Sequence, residues 1–160
     1  MSPELLSIVG WLKGPIFAAI ATSAFSLLFG LHSIDILLAS GGAAVGWAIF
    51  LAVPHAGSPA FAVFIAALAA GIYGEIIGWA RLRPATAYAI AAILPLVPGG
   101  GMYYTMLSTL EGNSTKTVEL VMTTLMTAFA IAAGLAIANA VGRMIYLAYT
   151  HWLMKGNKKL

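Results

Sequence analysis

The stretch ILPLVPGGGMYYTM, Ile93–Met106, places two prolines and three consecutive glycines between two apolar, helix-forming runs. Pro95 and Pro98 each lack a backbone N–H and clash with the preceding helical turn. The glycines of Gly99–Gly101 permit left-handed or extended backbone at little steric cost. The stretch therefore predicts a break inside an otherwise apolar helical segment.

The composition indicates that this break lies in a membrane. The chain of 160 residues is 61% hydrophobic and 8% charged, whereas a soluble domain is about 25% charged. We therefore expect one all-α transmembrane domain over residues 1–160, with the lipid bilayer as its solvent. The absence of cysteine excludes disulfide and thiolate chemistry. The sequence shows no basic face with interleaved aromatic residues, so we expect no nucleic-acid partner.

Five apolar segments are long enough to cross a bilayer, which needs about 20 residues each. The first either begins at Pro15 or bends there. The second, ILLASGGAAVGWAIFLAV, is rich in small residues and is expected to be buried in a bundle, although a re-entrant second segment would leave four spans. The predicted spans are approximately Leu5–Leu31, Ile36–Val53, Ala60–Ala80, Pro84–Leu110 and Thr117–Ala148, with the fourth broken over Pro95–Gly101.

The distribution of positive charge predicts the orientation. With five spans, one side of the membrane carries most of the basic residues, namely Arg81, Arg83, Arg143, Lys155, Lys158 and Lys159. The positive-inside rule places that side in the cytoplasm. The C-terminus is therefore expected to be cytoplasmic and the N-terminus to lie on the opposite side.

The break is a candidate binding site for a carboxylate. From Pro84 to Leu94 the chain forms about 11 helical residues, or roughly 16 Å, and so reaches the middle of the bilayer. A helix that restarts there, near Met102, presents free N–H groups and the positive end of its dipole. Irregular backbone at this depth requires a protein or aqueous environment, and secondary transporters use such discontinuous helices to bind substrate. The alternative is a kink that only shapes packing. The candidate substrate-binding residues are Pro95, Pro98, Gly99, Gly100, Gly101, Tyr103, Tyr104 and Thr105.

Glu75 is the candidate for proton or ion coupling. It lies in the third span, six residues before Arg81, which corresponds to about 9 Å of helix. A carboxylate inside a membrane usually faces the bundle interior, a partner or a proton path. The alternative is an ion pair between Glu75 and Arg81 or Arg83 at the interface.

Several other polar residues carry weaker hypotheses. Asn139 in the fifth span is a candidate for the substrate cavity or for an interhelical hydrogen bond. Hydroxyl groups such as those of Thr22, Thr123 and Thr127 are expected to bond to their own helix backbones. His32 and Asp35 are expected to pair between spans. The three histidines lack metal-ligand spacing, and we expect no metal, no cofactor and no catalytic residues.

The segment GIYGEIIGWARLRPATAYAIAAILPLVPGGGMYYTMLSTLEGN, Gly71–Asn113, resembles the small membrane subunit of the threonine/serine exporter (ThrE-type) family. FAAIATSAFSLLFG, Phe17–Gly30, and GLAIANAVGR, Gly134–Arg143, are similar to the family's first and last helices. The chain departs from the family pattern at GLHSID and in the additional glycines after Pro98. These departures affect the predicted substrate more than the predicted fold.

The resemblance implies a secondary exporter of small carboxylates, such as threonine and serine or dicarboxylates such as succinate, in the bacterial cytoplasmic membrane. It also implies a larger partner subunit with its own membrane helices. Five spans are few for a two-repeat transporter, so we expect that partner or a homo-oligomer to complete the pathway. The alternative function is a non-transporting scaffold or assembly subunit of a larger complex.

Overall fold

The computed structural model describes residues 3–53 and 58–157, with side-chain surroundings for residues 11–53 and 58–147. His55 lies outside the described residues, and the side chains of Trp152 and of the basic C-terminal tail lie outside the range for which side-chain surroundings are described. Every element of the described chain is helical, which confirms the predicted all-α membrane fold. The helices are α1 (Pro3–Leu28), α2 (Ser33–Ala52), α3 (Pro59–Arg81), α4 (Ala85–Ile93), α5 (Gly99–Leu110) and α6 (Ser114–Asn157), with a 3-10 turn over Leu94–Leu96.

The described helices provide four or five candidate membrane spans. Residues Trp11–Leu28 of α1, the whole of α2 and α3, and Ser114–Leu147 of α6 are each long and apolar enough to cross a bilayer. The helices on either side of the break, Ala85–Leu96 and Gly99–Leu110, form a fifth span if they count together. Pro15 lies inside α1, so that helix does not begin there.

Small residues hold the bundle together. The second helix packs against α1, α3 and α4, and its buried positions include Ala39, Gly42, Ala43 and Gly46. The predicted burial holds for this small-residue face only, since Leu37 and Val45 are exposed. Between α3 and α4 the backbones approach so closely that a Cβ on Gly74 would lie 2.8 Å from the amide nitrogen of Ala89. Lipid provides no hydrophobic driving force between helices, so close backbone packing of this kind has to stabilise their association.

The long helix α6 joins two parts of the molecule. At 44 residues it is about 66 Å long, roughly twice the thickness of a hydrocarbon core. Its middle packs against α3, where Gly134 touches the backbone of Phe64 and Leu68. Its beginning packs against α5, where Thr124 touches Gly101. The helix α5 has no extensive contact with any other described helix, so α5 and the start of α6 form a hairpin beside the bundle.

Candidate functional site

The predicted break is present, and it bends the fourth segment by 46°. The helix α4 ends at Ile93, and Pro95 lies inside the 3-10 turn. Val97 then leaves the helical conformation (φ −60°, ψ 129°), and Pro98 occupies the N-cap position of α5 without a side-chain cap bond. The regular hydrogen-bond ladder is therefore interrupted over residues 94–98, where the two prolines remove donors.

The helix after the break begins earlier than the sequence predicts. Helix α5 starts at Gly99 rather than near Met102, so the three glycines form its first turn. None of them has a positive φ. Glycine permits irregular backbone but does not require it, and once Pro98 has ended the irregular segment the helix restarts at once.

Two backbone N–H groups at the start of α5 lack the usual turn or cap bonds. The amide of Gly99 donates to Val97 O (2.7 Å) and that of Met102 donates to Pro98 O (3.1 Å), but neither Gly100 nor Gly101 makes such a bond within the described chain. The first amides of a helix have no acceptor within the helix itself. Their N–H groups and the positive end of the α5 dipole therefore suit an anion.

The break has one face against protein and one open face. On the protein side, Leu96 is buried and a Cβ on Gly101 would lie 2.5 Å from Thr124 Oγ1. On the open side, a Cβ added to Gly99 or Gly100 would meet no atom within 4 Å, and the flanking Val97 is 47% exposed. Within the described residues, this chain therefore encloses the break on one side only.

The break lies at the middle depth of the bundle. Leu96 belongs to one apolar cluster with Ala66, Ala67 and Ala70 of α3. Ala70 is the central residue of α3, a helix of 23 residues and about 34 Å. If α3 spans a bilayer, the irregular backbone lies close to its midplane.

The three hydroxyl residues after the break differ in their surroundings. Tyr103 and Tyr104 are both more than half exposed, and their rings meet edge to face with centroids 5.3 Å apart. Their hydroxyls make no hydrogen bond to another described residue. Thr105 Oγ1 instead donates to Gly101 O (2.8 Å), as Thr127 does to Thr123 O on α6. The two tyrosines are thus available to a ligand, whereas the Thr105 hydroxyl already has an acceptor.

Glu75 faces α6 and not the arginines. A Cβ on Gly142 would lie 2.6 Å from the Glu75 carboxyl carbon, so the missing side chain at Gly142 creates the space for this carboxylate. The small cavity beside it is lined by apolar groups including Ile72, Ala138 and Ile145. Glu75 forms no ion pair or hydrogen bond with any described residue, and the alternative pairing with Arg81 or Arg83 is absent. Along α3 it lies about 8 Å from Ala70, on the side toward Arg81.

Asn139 lies away from the break. It is exposed on α6, 15 residues beyond the contact of Thr124 with Gly101, which corresponds to about 22 Å of helix. It makes no hydrogen bond to another described residue, so it contributes neither to this face of the break nor to an interhelical bond within the chain.

One polar cluster was not predicted from the sequence. The buried Asp35 Oδ1 accepts a hydrogen bond from Tyr88 OH (2.6 Å) and an ion-paired bond from Arg81 Nε (3.3 Å). His32 was expected to pair with Asp35, but the carboxylate turns inward between α3 and α4. The available signal was topological: the α1–α2 and α3–α4 turns lie at the same end of the bundle, so Asp35 and Arg81 share a depth.

Thr22 also differs from expectation, since its Oγ1 bonds to Ala91 O on α4 (3.4 Å).

Comparison with known proteins gives one result about the family. A family model described as "Threonine/Serine exporter, ThrE" matches residues 15–153. No solved structure matches the chain.

Proposed function

Because the chain belongs to the threonine/serine exporter family, we propose that it is the small membrane subunit of a secondary exporter for small carboxylates and works with a larger partner subunit. Threonine, serine and dicarboxylates such as succinate are the candidate substrates. The observation that carries the proposal is the break between α4 and α5, where the Gly100 and Gly101 amides lack turn or cap bonds and one face is open.

The open face supports a role for the partner. Unpaired backbone groups in lipid cost several kcal/mol each, so irregular backbone at membrane depth needs protein or water beside it. Leu96 and Thr124 cover one side, and in this proposal the larger subunit or a second copy covers the other. The substrate carboxylate binds between the two parts, with the Gly100 and Gly101 amides as donors and the Tyr103 and Tyr104 hydroxyls beside them.

Glu75 is the proposed coupling residue. An ionisable group without a partner in a membrane segment is expensive and often belongs to a proton path. Its carboxylate lies between the break and the end of the bundle that carries Arg81. In the proposed cycle it binds a proton in one state of the exporter and releases it in the other.

The test is export by cells that lack the gene and carry a plasmid-borne copy. The Gly100→Leu side chain enters space that is open within this chain, so we expect the chain to fold normally but loaded cells to lose threonine, serine or succinate at least tenfold more slowly. Co-purification with the companion checks that the exporter still assembles. Thr109→Leu, on an exposed position of the same helix, is the matched control.

A Gly100→Leu protein that exports normally and still co-purifies with its companion would favour the scaffold alternative. Normal retention of all three acids by cells without the gene would refute the export function itself.

A further inference from the structure

We infer that the cavity between the α1–α2 and α3–α4 turns binds the carboxylate of a free amino acid, with Arg83 as its cationic partner. This inference rests on the proposed export function and adds a second binding position for the same class of substrate. The cavity has a volume of about 220 Å³ and lies at the end of the bundle that carries Arg81 and Arg83. Its walls include Gly30, His32, Asp35, Arg83, Ala87 and Tyr88.

One cationic side chain in the cavity wall, that of Arg83, has no direct hydrogen-bonding partner within the described chain. Asp35 Oδ1 accepts from Arg81 Nε and Tyr88 OH, whereas Asp35 Oδ2 accepts from no described residue. Arg83 also lines the cavity, yet its guanidinium group makes no ion pair or hydrogen bond with any residue that the structure describes. A guanidinium matches a carboxylate with two parallel N–H donors, so Arg83 gives the cavity the capacity for one carboxylate.

Backbone hydrogen bonds hold the two turns that form opposite walls of the cavity. Leu82 adopts the left-handed conformation (φ 52°), and the next amide, that of Arg83, donates to Gly78 O (3.0 Å). On the opposite wall Gly30 has a φ of 70°, and the turn it makes leads to His32. Both turns are closed by backbone hydrogen bonds, so the cavity is held by the ends of α1 and α3 and not by a loose loop.

Asp35 makes the cavity selective for an amino acid over a dicarboxylate. Its carboxylate lies in the wall beside Arg83 and is favourable for a ligand ammonium group. The second carboxylate of succinate would meet the same negative charge and be repelled, and repulsion of this kind is a common source of specificity. The volume is below the range of about 300–1,000 Å³ that holds drug-sized ligands, which suits a compound of a few heavy atoms.

The location suggests that the cavity receives substrate before it reaches the break. Tyr88 is eight residues before Leu96, so the two positions are separated by about 12 Å along α4. With the orientation predicted from the charge distribution, the cavity opens toward the cytoplasm, where an exporter collects its substrate. Arg83 would then bind the amino acid first, and the amides of α5 would bind it at the bilayer centre.

The absence of cysteine from the chain permits a direct test. In membrane vesicles from cells that express the exporter, Ala87→Cys supplies a thiol in the cavity wall and Thr86→Cys supplies one on the adjacent exposed position. We expect millimolar L-threonine to slow N-ethylmaleimide labelling of the Ala87→Cys protein at least fivefold, succinate to slow it less than twofold, and neither to protect Thr86→Cys. Adding Arg83→Gln should abolish the protection, whereas adding Arg143→Gln should not.

Equal protection at both cysteines, or protection that survives Arg83→Gln, would overturn the inference. Protection by inorganic phosphate at the same concentration would also overturn it, by assigning Arg83 to phosphate groups such as those of lipids.

The same cells report on the proposed function separately. If the Arg83→Gln protein exports threonine at the normal rate, the cavity is not an entry site but the exporter stands. If cells without the gene lose threonine at the wild-type rate, the export function fails regardless of the labelling.

Discussion

At the scale of single residues, the charged and hydroxyl groups of the bundle fall into two sets. Asp35 is bonded to both Arg81 and Tyr88 at one end of α3 and α4. Glu75 and Arg83 have no such partner within the described chain. A hydrogen bond to a buried charged group is stabilising, whereas an unpaired ionisable group inside a membrane segment, as Glu75 is, usually has a functional role. The two sets therefore predict different consequences on substitution.

The first set predicts a loss of stability. Tyr88→Phe removes the donor to the buried Asp35 carboxylate, and hydrogen bonds to charged groups contribute about 1.5–3 kcal/mol. We expect the free energy of unfolding in detergent micelles to fall by about 2 kcal/mol. Tyr146→Phe, at a position that is 55% exposed, is the matched control and should change it by less than about 0.5 kcal/mol. Equal stability of the two variants would show that the Tyr88–Asp35 hydrogen bond makes no net contribution to the free energy of unfolding.

The second set predicts a loss of coupling without a loss of stability. Glu75→Gln keeps the shape of the side chain, and Glu75 has no bond to a described residue that the change would break. We expect the variant to assemble normally but to lose the response of threonine efflux to an imposed pH gradient, by at least tenfold in initial rate. Gln lacks the capacity to bind and release a proton, which is the physical reason. A variant whose efflux still follows the gradient would remove Glu75 from the proton path.

At the scale of elements, the contact between α3 and α4 sets the position of the break. These helices approach at Gly74 and Gly78, where a side chain would strike the backbone of Ala89 and Ala85. The packing carries α4 to the middle of α3, where Leu96 joins the apolar cluster of Ala66 and Ala70. The depth of the free amides of α5 therefore depends on glycines in a different helix.

This dependence predicts the effect of a small enlargement in α3. Gly74→Val forces α4 away from α3, and overpacking of this kind typically costs about 1–3 kcal/mol. We expect a corresponding fall in the free energy of unfolding, together with slower export. Gly99→Ala is the control for stability, because its Cβ meets no atom within 4 Å and should change stability by less than about 0.5 kcal/mol. If Gly74→Val is as stable as the control, the close approach of α3 and α4 is not required.

At the scale of the whole molecule, hydropathy and small-residue content were sufficient to predict the helical membrane fold, the buried small-residue face of α2 and the break. These features depend on local composition: Pro95 and Pro98 interrupt a helix wherever it lies, and about 20 apolar residues suit a bilayer in any context. The start of α5 at Gly99 was not predicted, because glycine is compatible with both helix and irregular backbone.

The side-chain pairings could not be read from the sequence in the same way. Arg81 lies six residues from Glu75 and 46 residues from Asp35, yet it pairs with Asp35, because the direction in which each side chain leaves its helix decides the partner. The same applies to Asn139, whose place in a span gave no indication that it faces outward. The open face of the break is also a property of the assembled helices: nothing local to Val97 or Gly100 shows that no other described helix covers them.

The most direct test of the central claim observes the backbone amides at the break while substrate binds. In the purified exporter, this chain alone carries ¹⁵N-glycine and is combined with its unlabelled companion, so each glycine of the chain gives one amide signal. The Gly100→Ala and Gly101→Ala variants assign the two signals of interest. We predict that L-threonine shifts the Gly100 and Gly101 signals in a saturable manner, while L-threoninol, which lacks the carboxylate, does not. Saturable binding of L-threonine that leaves both signals in place, or an equal shift with L-threoninol, would contradict the account.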